Sequence, residues 1–369
     1  MRTIAVVTVF LLIISLPLSG RGGDVPTLTV KSEPTVELMS LIFRLAGNPE
    51  YNQGKLVSYN KAVNNQFNRF KNHEVVKLAR QLRRTKGVSF DAVMSMAIHI
   101  ENPSSLKERI PFSPRPATLE KRWTVRHARA FLEAARRFIK DSDFNAFIKK
   151  HKPLYHKTVK QLRALIDRHS RLEWFHEFFG KRPGARFILI PGLMNGGASY
   201  GANFRKPNGK EELYSILGVW KTARAGYPLF DAGMVEMIVH EFSHSYVNPL
   251  MEKHGHLLEK AGRKIFPLVK EKMKSNAYGT WKTMMVESLV RAATVRYLLK
   301  QEGEQRMRQN MRRDQGMGFI WLPELAARLA VYEKNRDKYP TLDAFMPKVA
   351  EFFNGYSTKI EKKLASVEK

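Results

Sequence analysis

The spacing of apolar residues changes twice along the chain, dividing it into helical, strand-rich and again helical stretches. Apolar positions three or four apart, the period of a helix with one buried face, occur at Leu38, Leu41, Ile42 and Leu45. Thr35 is the expected N-cap of this helix, and Gly47 lies just past its end. The same period predicts helices over residues 57–70, 74–85, 90–100, 124–140, 144–168 and 171–179, punctuated by Pro103, Pro111, Pro114, Pro116 and Pro153. The pattern breaks at 180–184. Residues 187–193 form a continuous apolar run, 198–205 and 211–220 read as strands, and the connections carry Asn195-Gly196-Gly197 and Asn208-Gly209. Asn and Gly tolerate the positive φ of a tight hairpin turn, so a small antiparallel meander is expected. Beyond Tyr227-Pro228 helical spacing returns, with turns near Gly303, 316–318, Pro323 and Tyr339-Pro340. The expected fold is α+β and predominantly α: a helical amino-terminal region over 24–182, then a region over 183–369 that begins with the sheet.

The amino terminus carries a different signal. Met1-Arg2, an uncharged and mostly apolar run over 3–18, and then Ser19, Gly20 and Gly22-Gly23 have the layout of a secretory signal peptide over residues 1–23. The run is short for a membrane span of about 20 residues, so cleavage is expected, with a retained anchor as the alternative. The mature protein is then exported, periplasmic or extracellular.

Composition narrows the chemistry. With 43% hydrophobic residues and ordinary Gly and Pro content, the 369-residue chain can build packed cores. It has no cysteine, which excludes disulfides, thiolate metal sites and a cysteine nucleophile. Any metal must be held by His, Asp or Glu. A net charge of +29 draws such a protein toward anionic surfaces, but Lys and Arg are scattered along the chain and no nucleic-acid motif is present.

One motif carries chemistry. His240-Glu241-Phe242-Ser243-His244 is an H-E-x-x-H sequence in a helical stretch. Residues four apart share a helix face, so both imidazoles can address one ion while Glu241 projects beside them. Independent residue frequencies would produce such a motif by accident only about 1 to 2 times in a hundred chains of this kind. For a third ligand the sequence offers Glu287, isolated among Met285, Val286, Leu289 and Val290 on another helical stretch; a carboxylate there needs a strong partner. A salt bridge to Arg291, one turn on, is the plainer explanation. His254 and His256, read as lying in a connection over 251–257, are rival ligands, and Glu236, Glu252 and Glu259 are weaker ones.

With these residues the sequence resembles the gluzincin metallopeptidases, in which an H-E-x-x-H helix supplies two histidines and a later helix a glutamate. The match is His240, Glu241 and His244, followed by Glu287, and covers at most the second half of the chain. The chain also resembles an exported bacterial family known only as a domain of unknown function, through 36–40 and the block around His240. The gluzincin resemblance implies Zn2+ on His240, His244 and Glu287. It implies hydrolysis of a peptide or protein substrate by a zinc-bound water that Glu241 activates as catalytic base. It also implies a substrate paired with a sheet edge, for which 211–220 is the strand nearest in sequence to the metal helix. Gluzincins commonly carry an acidic residue four positions after the glutamate ligand, where this chain has Arg291, so the imidazoles need a different partner. Tyr278, Tyr297, His254, His256 and Arg291 are candidates for stabilising an oxyanion.

Two other functions remain open on sequence: a basic non-catalytic binding protein for an anionic cell-surface partner, with a structural or disused metal site, and a zinc amidase acting on cell-wall peptides. Elsewhere, His99 reads as a core histidine, and Trp174, Phe175, Phe178 and Phe179 as packing. Residues 306–313 read as a solvated helix end before a core pair, Phe319 and Trp321, or as a basic lid.

Overall fold

The computed structural model describes residues 27–224 and 226–360; the leader expected over 1–23 lies outside them. Among the described residues the fold is α+β and predominantly helical, with thirteen α-helices and one four-stranded sheet. Strand β1 (Thr27–Val30) comes first, within a stretch that hydropathy alone left unstructured. Helices α1 (Pro34–Leu45), α2 (Val57–Phe67), α3 (Glu74–Lys86), α4 (Asp91–His99), α5 (Val125–Ser142) and α6 (Phe144–Lys150) follow. Then come α7 (Lys152–His169), α8 (Glu173–Phe179), β2 (Ala185–Pro191), β3 (Tyr200–Arg205) and β4 (Glu211–Leu217). The rest is helical: α9 (Ala232–Ser275), α10 (Trp281–Glu302), α11 (Glu304–Gly316), α12 (Leu322–Lys334) and α13 (Leu342–Ser357). No helix of the described residues is long and apolar enough to cross a membrane.

The helices expected from periodicity are present, with corrections at their ends. Glu33, not Thr35, is the N-cap of α1, because Pro34 fits the first helical turn, where its missing N–H costs nothing. The stretch 144–168 is two helices that meet at His151.

The sheet is not an antiparallel meander. Its order is β1-β2-β4-β3: β2 pairs in parallel with both β1 and β4, and only β3 and β4 are antiparallel. Asn208-Gly209 does close the β3–β4 connection, and Gly209 has φ +78. Asn195-Gly196-Gly197 makes no hairpin. Gly196, at φ +67, instead passes so close to helix-connecting backbone that an added Cβ would stand 2.2 Å from the Glu50 carbonyl oxygen. Because β4 is interior, the antiparallel edge strand is β3, so 211–220, the strand nearest in sequence to the H-E-x-x-H helix, does not offer the sheet edge.

The sheet is covered on both faces. Ile188, Ile190, Tyr214 and Ile216 point into a core built mainly with α1 to α6, and Phe187, Leu189, Leu213 and Leu217 into one built with α7 to α13. This alternation follows from the two-residue period of a strand. Trp174, Phe175, Phe178 and Phe179 lie in the second core, where Phe175 and Phe187 pack against Phe242 of α9. His99 is fully buried in the first, its Nδ1 2.7 Å from the Ser95 carbonyl oxygen and its Nε2 2.9 Å from the Thr118 hydroxyl.

Candidate metal centre

The long helix α9 starts at an Asp231 cap, whose carboxylate accepts the Gly233 N–H. Val235, Ile238, Val239 and Phe242 of α9 are buried in the core, so helical geometry turns His240 and His244 together to the neighbouring face. Pro249 sits inside the helix one turn after His244. Having no N–H, it leaves the Ser245 carbonyl without its helical donor. Arg182 takes that carbonyl at 2.8 Å and also pairs with Glu211 at the start of β4, tying the metal helix to the sheet. Helix α10, capped by Thr280, is buried on nearly every side.

Together these elements make one site. His240 Nε2 and His244 Nε2 are 3.3 Å apart, Glu287 Oε2 is 3.5 Å from the first and Glu287 Oε1 3.4 Å from the second. Ligand atoms about 2.0–2.2 Å from a tetrahedral zinc stand about 3.3–3.5 Å from one another; the two imidazole nitrogens have that spacing, and each has one Glu287 oxygen at a similar distance. Among the described residues this is the one group of three His, Asp or Glu side chains whose ligand atoms converge within 4.8 Å. One carboxylate oxygen also lacks a hydrogen bond. Glu287 Oε2 is buried without a hydrogen bond, facing His240 and, at 3.6 Å, Arg291 Nε, which itself has no acceptor. A divalent cation fits this donor set and supplies what the buried oxygen lacks.

The electrostatics agree with a cation site. Burial would raise the Glu287 carboxyl, but the adjacent His244 and His240 hold it well below the usual range. Burial would likewise lower His244, yet the Glu287 charge and hydrogen bond push it up to about 9. His244 Nδ1 lies 3.3 Å from Asn248 Oδ1. When a cation displaces the Nε2 proton, donation of the Nδ1 proton there holds the tautomer whose Nε2 lone pair faces the site. Asn248 is thus the partner that sequence reasoning missed, although its place one turn after His244 was visible.

Glu241 is buried beside the two histidines. Burial raises its carboxyl, against the lowering effect of His240, His244 and a hydrogen bond from the Gly201 N–H of β3. An added Cβ at Gly201 would meet the Glu241 carbonyl oxygen at 2.5 Å and His244 Cβ at 3.2 Å, so only glycine lets β3 pass this close.

The rival ligands stand elsewhere. Residues 251–257 are not a connection but part of α9, whose rise of about 1.5 Å per residue carries His254 away from the site. His254 pairs with Asp343 of α13, and His256 is exposed. Glu252 is exposed and Glu259 pairs with Arg263. Glu236 is buried but turned to Arg306, Asn310 and Arg313. Arg291 donates to Asp314 and to the Tyr278 hydroxyl, both at 2.8 Å, and stands closer to them than to Glu287. Tyr297 is spent on the Arg171 N–H. Phe319 and Trp321 are core residues, as expected; 306–313 lies within α11, where Arg308 and Arg312 are exposed while Arg306 and Arg313 hold Glu236.

The chain belongs to the family described as domain of unknown function DUF4932, whose sequence model matches residues 28–352. No curated protein and no solved structure matches it.

Proposed function

We propose that the chain is a zinc-dependent metallopeptidase, exported by the leader read at its amino terminus. The observation that carries this reading is the triangle of His240, His244 and Glu287 with its unpartnered carboxylate oxygen, flanked by a buried Glu241. A divalent ion bound there supplies Lewis acidity and a water of lowered pKa. His240, His244 and Glu287 hold it, and Asn248 orients His244. Glu241, with its carboxyl raised by burial, takes a proton from the attacking water and passes it to the leaving amine. β3 pairs with β4 on one side only, leaving an edge beside Glu241 along which an extended peptide can add as a further strand.

The test is cleavage of a peptide library by the zinc-loaded chain. Glu241→Gln should keep the metal and lose roughly 10²–10⁴-fold in rate. Cleavage of cross-linked cell-wall peptides in place of linear ones would favour the amidase reading. No hydrolysis of either, with metal bound, would favour a binding protein.

A further inference from the structure

A cavity of about 380 Å³ lies beside the metal triangle. Met237 on its wall is on the same face of α9 as His240, one turn earlier. Arg291 forms another part of the wall and stands 3.6 Å from Glu287. Four cations, Lys221, Arg291, Arg306 and Arg313, line it with two carboxylates, Asp231 and Glu236, and each cation already carries an ion pair. Both carboxylates are already engaged. Asp231 accepts from Lys221 and from the Gly233 N–H, and Glu236 from Arg306, Asn310 and Arg313. An anion entering the cavity therefore shares these cations with their present partners and finds its free donor on Arg313, with Trp220 and Met237 to cover an apolar stem.

Arg313 is the donor best placed to respond. Its side chain is half exposed, and its Nη2 and Nε bonds to Glu236 and Asp314 leave Nη1 with no acceptor among the described residues. Arg291 is fixed more deeply by Asp314 and Tyr278. None of this was legible in the sequence, where Arg306 and Arg313 stand about seventy residues from Glu236.

We propose that this cavity is a substrate-selecting subsite that binds a carboxylate next to the bond presented to the metal centre, making acidic peptides the preferred class. The substrate named rests on the peptidase reading; the anion preference of the cavity does not. The carboxylate belongs either to an acidic side chain or to a free peptide terminus, chemistry the cavity treats alike.

Calorimetry on the full-length, zinc-loaded Glu241→Gln chain tests this with three probes: acetyl-Ala-Glu-Ala-amide, acetyl-Ala-Gln-Ala-amide and acetyl-Ala-Ala-Ala with a free carboxylate. At least one carboxylate peptide should bind about tenfold more tightly than the glutamine peptide, the value of one charge-assisted hydrogen bond. Which one binds more tightly assigns the source. Adding Arg313→Gln should bring that preference near unity while metal content stays unchanged and the chain remains folded, with some stability lost from the Glu236 and Asp314 pairs. If that variant fails to fold, Arg306→Gln and the loss of preference with rising salt provide the same check. Equal binding of all three probes, no binding, or a preference indifferent to both arginines and to salt overturns the subsite. Hydrolysis by the unsubstituted chain is read separately: cleavage without acidic preference defeats the subsite alone, and acidic binding without cleavage defeats the peptidase alone.

Discussion

His244 of α9 and Glu287 of α10 face each other at 3.4 Å, Nε2 to Oε1, while the other carboxylate oxygen, Oε2, lies 3.5 Å from His240 Nε2 and the two imidazole nitrogens are 3.3 Å apart. A salt bridge alone would account for one of these contacts. It would not account for two imidazoles turned toward each other, or for the Glu287 oxygen left without a hydrogen bond.

Asn248 Oδ1 stands 3.3 Å from His244 Nδ1, where it can orient the imidazole. Asn248→Ala should leave the fold intact and weaken zinc binding by roughly 10- to 100-fold, the usual cost of losing a ligand's supporting hydrogen bond. Competition with a chromophoric chelator measures it. Unchanged affinity would show that His244 is oriented by other means.

Gly201 sets the approach of the edge strand to the metal helix. Gly201→Ala should destabilise the chain by roughly 1–3 kcal/mol, because its new methyl must displace backbone, and should weaken zinc binding as β3 is forced from His244. Gly355→Ala is the control. That glycine lies in α13 with nothing within 4 Å of its added Cβ, so alanine should be neutral or slightly stabilising. Thermal unfolding of both variants separates the two effects.

His99 predicts an acid-side loss of stability. Burial, aided by Arg109 and opposed by the Ser95 carbonyl, lowers its pKa from the ordinary 6.5 to about 4. The unfolded chain therefore binds the proton first as pH falls. Stability from this group is full above 6.5 and is lost as pH falls toward 4, up to about 3 kcal/mol. Denaturant unfolding at pH 7 and pH 4 should show this difference, and His99→Gln should remove that part of it.

What the sequence disclosed follows from which interactions are local. Helical periodicity located the helices, and Asn208-Gly209 identified the one true hairpin, because both signals act over a few residues. The parallel pairing of β2 with β4 was hidden, since Asn195-Gly196 answers a close approach to Glu50 and not a turn between neighbours. The candidate metal ligands were legible because His240 and His244 share one helix face and Glu287 stands alone among apolar residues. His254 was misplaced in a connection, whereas α9 runs on through Pro249, with Arg182 satisfying the carbonyl that the proline frees. The β3 edge and the cationic cavity depend on tertiary neighbours, which no local pattern announces.

Zinc content by mass spectrometry, on the full chain purified without chelator, tests the central claim most directly. The chain should carry about one zinc, and Glu287→Ala and His244→Ala should each lose most of it while remaining folded by circular dichroism. A folded wild-type chain that takes up no divalent metal, or one whose metal survives both substitutions, would contradict the site.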